Sequence, residues 1–94
     1  MAVSGRLSLA QNRGALIAQG RQLFSDKGCY GCHTIGVAGT RIGPDLAQVG
    51  SRYPESKMAR WLQEPSAHEP PRHPRLDLND AEATTLVAYL ATLR

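Results

Sequence analysis

Between Leu9 and Phe24 the apolar positions follow a helical beat. Leu16, Ile17, Gly20, Leu23 and Phe24 stand at i, i+1, i+4, i+7 and i+8, one face of a helix with 3.6 residues per turn. Ser8 and Gln11 have the spacing of a capping box. The run Ser25-Asp26-Lys27-Gly28 ends the helix, with Gly28 suited to a C-terminal stop. Gly14 and Gly20 each cost such a helix about 1 kcal/mol relative to Ala. Gly20 lies on the apolar stripe, so a close helix crossing there would compensate. Six glycines and Pro44 mark residues 28–50 as loop, with a short turn of helix at Asp45–Val49. Pro54 opens a short helix carrying Met58, Trp61 and Leu62, which Pro65 closes. Pro65, Pro70, Pro71 and Pro74 make the next stretch extended and stiff. Asn79 and Glu82 form a capping-box pair for the last helix, whose stripe of Ala83, Leu86, Val87, Leu90 and Leu93 runs to the end of the chain. No alternating stretch of strand length occurs, and no repeat. The pattern predicts an all-α chain with strong helices at both ends.

Composition sharpens this picture. With 94 residues, 41% hydrophobic and 20% charged, the chain is one small globular domain. A multidomain enzyme is excluded by size, and no apolar run approaches the roughly 18 residues of a membrane span. Aromatics are only 5% of the chain, which makes for a thin core. Chains this small often need a staple. So much loop for so little core requires something other than side chains in the middle. The net charge of +3 comes from nine Arg and two Lys spread along the sequence against eight acids. No block of like charge marks a nucleic-acid partner.

Cys29-Tyr30-Gly31-Cys32-His33 reads C-x-x-C-H, the haem c attachment signature. Two thiols three positions apart can add to the two vinyl groups of the macrocycle, and the histidine that follows presents an imidazole to the iron. Covalent haem also supplies the missing apolar filling. Two alternatives use the same cysteines. A redox disulfide would sit at the end of a strand in a βαβ unit, which this pattern lacks. Zinc held by Cys29, Cys32, His68 and His73 has the right H-x4-H half. However, 35 residues separate Cys32 from His68, against about 12–15 in a finger.

From about residue 15 to 94 the sequence resembles the class I c-type cytochromes. The resemblance is carried by Gly20 and Phe24, the C-x-x-C-H run, Gly43-Pro44-Asp45-Leu46, Arg52, Trp61-Leu62 with Pro65, and the terminal helix with Tyr89. It implies a small cytochrome c fold: N- and C-terminal helices crossing at Gly20, Phe24 and Tyr89, and short helices and loops wrapped around one haem c bound through Cys29 and Cys32. It further implies that His33 is the proximal ligand with its imidazole hydrogen-bonded to the Pro44 carbonyl, and that Arg52, Trp61 and Tyr53 lie near the propionates. Residues 1–14 fall outside the resemblance, as a linker or an extension of the first helix.

The chain departs from the family at the distal position. The usual Met-Pro-x-x-x-Leu is here His73-Pro74-Arg75-Leu76-Asp77-Leu78, which implies bis-histidine iron ligated by His33 and His73. His68 and Met58 are the other candidates, with Met58 better suited to the core. A second imidazole in place of Met lowers the potential. The expected function is single-electron transfer between redox protein partners, or within a parent membrane-anchored complex, with no catalytic residues of its own. The alternative is a haem sensor whose distal histidine dissociates. Haem c attachment implies a periplasmic or outward-facing domain. The N-terminus shows no export signal, so the expectation is that a signal or anchor was removed or lies elsewhere in a larger protein. Membrane insertion of this segment is not expected.

Overall fold

The structure, a computed structural model, describes residues 9–64 and 76–94. The elements in chain order are α1 (Leu9–Asp26), a 3-10 turn (Cys29–Gly31), β1 (Thr34–Ile35), β2 (Ala38–Gly39), α2 (Val49–Arg52), α3 (Glu55–Gln63) and α4 (Asp80–Leu90). The helix α1 runs unbroken from Leu9 past residue 14. Ser8, the expected cap, lies outside the described residues.

The main packing event is α1 against α4. At their crossing only glycine fits. A Cβ built on Gly20 would lie 2.7 Å from the Cβ of Tyr89 and would strike the Thr85 carbonyl oxygen. The glycine on the stripe therefore trades helix propensity for close approach of two backbones. Beside it Phe24, 2% exposed, packs edge-on against Tyr89 at a centroid distance of 6.0 Å and against Tyr30 at 4.8 Å. Leu86, Met58, Val49, Val87 and Leu90 complete this core. α3 contributes Met58, also 2% exposed, as its buried residue.

The cap of α4 forms as its spacing predicts: Glu82 N–H donates to Asn79 Oδ1 (2.8 Å) and Asn79 N–H donates to Glu82 Oε1 (3.0 Å). Four local readings differ from the structure. Regular helix ends at Leu90 rather than running to Leu93. Beyond it Thr92 N–H donates to the Tyr89 carbonyl and Leu93 N–H to that of Leu90, tightening the last turn, while Leu93 O accepts from Gly50 N–H at 2.7 Å. Leu93 still packs on the core. Pro54 caps α3 instead of starting it, and the short helix after the loop begins at Val49, four residues later than read. Finally, the expectation of no strand is corrected by the β1–β2 hairpin, pairing Thr34 with Gly39 and Ile35 with Ala38. Two-residue strands are shorter than any alternation that could announce them.

Candidate functional site

The chain leaves α1 through Gly28, at φ 76°, and turns immediately into the C-x-x-C-H run. Cys32 and His33 N–H both donate to the Cys29 carbonyl, at 3.2 and 2.9 Å. This single tight turn places Cys29, Cys32 and His33 in the lining of one cleft. The cleft is partly open to solvent and is lined mainly by Phe24, Leu46, Leu62, Leu76, Leu86 and Leu90, with Lys27 among its lining residues. An apolar wall with few polar groups is typical of cofactor sites. The two cysteines are not joined to each other. Burial pushes the Cys29 thiol up from its usual range, against an opposing backbone hydrogen bond and with a smaller contribution from the neighbouring Cys32.

His33 is fixed by the loop that follows it. Its Nδ1 lies 2.8 Å from the Pro44 carbonyl oxygen. A carbonyl only accepts, so the proton sits on Nδ1 and the basic lone pair on Nε2. Gly43 permits this contact: a Cβ there would come within 2.7 Å of His33 Cε1 and 2.9 Å of Nδ1. On one side of Pro44 the Gly43 N–H donates to the Cys32 carbonyl. On the other side Leu46 N–H donates to the Thr34 carbonyl at 2.8 Å, while Thr34 Oγ1 (2.8 Å) and Gly36 N–H (3.0 Å) both donate to Asp45 Oδ1. The Thr34 hydroxyl is the main reason that Asp45 stays ionised below the usual carboxylate range; the nearby Arg52 adds a smaller effect. Asp45 belongs to the Gly43-Pro44-Asp45-Leu46 pattern, but a side chain that bonds across a loop leaves no periodic trace of its role.

The structure gathers Cys29, Cys32, His33 and Pro44 but does not put Arg52 or Trp61 in the cleft lining. Leu62 lines it, whereas Trp61 stacks edge-on with Tyr53 at 4.6 Å under the Lys57 ammonium, which is 5.5 Å from the Trp61 ring. Met58 lies in the core and is not part of the lining. His68 and His73 lie outside the described residues, so the distal ligand and the histidine half of the zinc alternative are not placed. Among the described residues no helix is long and apolar enough to cross a membrane.

The donor set fits a covalent haem: two thiols, one imidazole with its tautomer fixed, and apolar walls. Comparison with known proteins agrees. The cytochrome c family model matches residues 17–94. Cytochrome c oxidase subunit 2 of Alkalihalophilus pseudofirmus is 34% identical over 91 residues, covering 84% of this chain and 26% of that protein. Cytochrome c oxidase subunit 2 of Bacillus subtilis is 28% identical over 97 residues, covering 84% and 27%. The chain thus spans about a quarter of the length of the curated relatives it matches. No solved structure matches. With helices crossing at Gly20, a C-x-x-C-H turn lining an apolar cleft, and a family match over residues 17–94, the chain belongs to the cytochrome c family and has its all-α fold.

Proposed function

We propose that the chain is a monohaem c domain that carries single electrons and catalyses no reaction of its own. The observation that carries this is the cleft wall itself: Cys29, Cys32 and His33 on one turn, with His33 Nδ1 held 2.8 Å from the Pro44 carbonyl. Cys29 and Cys32 would tether the haem by adding sulfur to one vinyl carbon and hydrogen to the other, with no net oxidation. When bound, the haem supplies the Fe(III)/Fe(II) couple. His33 would offer Nε2 to the metal, with its ring orientation held by the Pro44 carbonyl. The leucine walls exclude water. Arg52 and Trp61 are proposed as propionate partners on the family resemblance alone.

His73 is proposed as the second axial ligand. Its support is the register of His73-Pro74 and Leu78 before the capped α4, together with Leu76, three residues on, which lines the same cleft as His33. A second imidazole in place of Met would put the midpoint below that of a His/Met counterpart. The two relatives named as cytochrome c oxidase subunit 2 support a physiological partner of that kind, a cytochrome c oxidase complex. The domain would work on the outward-facing side, where haem c is attached, as a module of such a complex or as a donor to it.

The test is spectroscopic and potentiometric. Wild-type holoprotein should show haem c, added mass on the chain, and a bis-imidazole low-spin ferric EPR signal. His73→Met should raise the midpoint, each tenfold shift in the ferrous/ferric ratio being about 59 mV for one electron. Unchanged EPR and potential in His73→Met would remove His73 from the iron.

A further inference from the structure

The Pro44 carbonyl can orient His33 only if the loop around it is held, and Pro44 itself has no N–H with which to anchor that loop. The hairpin and loop bonds do this from both sides. Gly43 N–H on Cys32 anchors the residue before. The residue after is Asp45, whose Oδ1 collects two donors, the Thr34 hydroxyl at 2.8 Å and the Gly36 N–H at 3.0 Å. Thr34 follows His33 directly in sequence and is only 5% exposed. The carboxylate therefore bonds to the residue next to the imidazole and is itself next to the carbonyl that the imidazole uses. The Leu46 N–H to Thr34 carbonyl bond, 2.8 Å, closes the same ring of contacts.

We propose that Asp45 is a positioning residue for His33, acting through Thr34 and Pro44 to keep the Nδ1–H···O=C bond made in both oxidation states. This rests on the reading that His33 ligates the haem iron. One acceptor oxygen that takes two donors ties Thr34 and Gly36 to the residue beside Pro44. It keeps the Pro44 carbonyl in place, and a steady hydrogen bond from Nδ1 raises the basicity of the ring's other nitrogen. A more basic imidazole favours ferric iron and lowers the potential. The negative charge is not the agent; the acceptor geometry is.

The experiment compares holoprotein carrying Asp45→Ala, Asp45→Asn and Thr34→Ser with wild type, by NMR exchange of the His33 Nδ1 proton, amide exchange in α4, and potentiometry. Asp26→Asn serves as an exposed-charge control. In Asp45→Ala, which removes the acceptor of both the Thr34 hydroxyl and the Gly36 N–H, the Nδ1 proton should exchange about tenfold faster, the scale of one net hydrogen bond, with α4 amides unaltered and the midpoint raised. Asp45→Asn, which keeps an acceptor oxygen, and Thr34→Ser, which keeps the hydroxyl, should return both readouts most of the way to wild type. An unchanged Nδ1 proton and midpoint in Asp45→Ala overturns the proposal. So does equal acceleration of every amide, which would mean a general loss of stability. Asp45→Asn as damaging as Asp45→Ala, with a similar midpoint shift in Asp26→Asn, would show that charge alone acts. A wild-type chain without added haem mass overturns the haem reading and this proposal together, whereas the other failures leave the haem reading standing.

Discussion

Two glycines in one helix make opposite predictions. Gly14 and Gly20 both lie within α1, and each gives up about 1 kcal/mol of helix propensity relative to Ala. Nothing lies within 4 Å of a Cβ built on Gly14, so Gly14→Ala should recover that propensity and stabilise the holoprotein by about 0.5–1 kcal/mol. At Gly20 the same methyl would stand 2.7 Å from Tyr89 Cβ and against the Thr85 carbonyl. That carbonyl is helix backbone and cannot rotate aside. The contact opens only if α4 moves away, until the carbon pair reaches about 3.5 Å. A gap of roughly 0.5–1 Å forfeits a quarter to a half of each dispersion contact it opens, here between Phe24, Leu86 and Tyr89. Overpacking of this kind costs about 1–3 kcal/mol. Subtracting the propensity gain of about 1 kcal/mol leaves Gly20→Ala destabilised by about 0–2 kcal/mol, and the upper half, about 1–2 kcal/mol, is expected because the obstacle is backbone. For a domain of this length that is a fall in Tm of roughly 4–16 °C, while Gly14→Ala should rise by a few degrees. Thermal and denaturant unfolding of the two holoproteins under identical conditions is the assay. If Gly20→Ala is as stable as Gly14→Ala, the helices do not cross at this glycine and the packing argument is wrong.

Asn79→Ala removes the side-chain acceptor for Glu82 N–H, and should cost about 0.5–2 kcal/mol in urea unfolding with m unchanged; a stability equal to wild type would show that the cap is already replaced by solvent. Asp45 and Glu82 both have folded pKa values lowered, Asp45 chiefly by the Thr34 hydroxyl and Glu82 chiefly by the Asn79 N–H. A carboxyl depressed on folding stabilises fully above its unfolded value, near pH 4, and loses that contribution as pH falls through the lower folded value. The unfolding midpoint should therefore be insensitive to these two groups near neutrality and drop below about pH 4. Asp45→Asn combined with Glu82→Gln should flatten that acid limb, and an unflattened limb would mean other groups govern it.

Much of this was legible in the residues. The apolar stripe and the Asn79/Glu82 spacing located α4, because side-chain periodicity and caps are local properties that a sequence displays directly. Gly20 on a stripe announced a crossing for the same reason: an apolar face with a hole in it needs a partner to fill the hole. The C-x-x-C-H run told which three side chains share one turn, since five consecutive residues cannot be far apart. What stayed hidden was held together across loops. The β1–β2 pair is two residues long on each strand, and the Asp45 clamp joins residues 11 positions apart through one hydroxyl. The Pro44 contact with His33 entered only through family resemblance. Neither loop contact produces a period, and a glycine-rich stretch reads as loop whether or not it is cross-braced. Arg52 and Trp61, whose role near the propionates also entered through resemblance, are not among the residues that line the cleft.

The crossing and the cleft are not separate parts of this molecule. Phe24 lies one turn beyond Gly20 in α1, and Leu86 follows Thr85 in α4; both belong to the core and both line the cleft. Tyr30, between the two cysteines, packs on Phe24 at 4.8 Å, and Phe24 packs on Tyr89 at 6.0 Å. The distance between α1 and α4 therefore sets the width of the cleft at Leu86 and Leu90 and, through the aromatic trio, the seat of the C-x-x-C-H turn. A protein interior is close-packed and transmits such shifts instead of absorbing them. The methyl that moves α4 in Gly20→Ala must also move part of the wall around the proposed haem, so a residue that touches no cysteine and no imidazole bears on the site through packing alone.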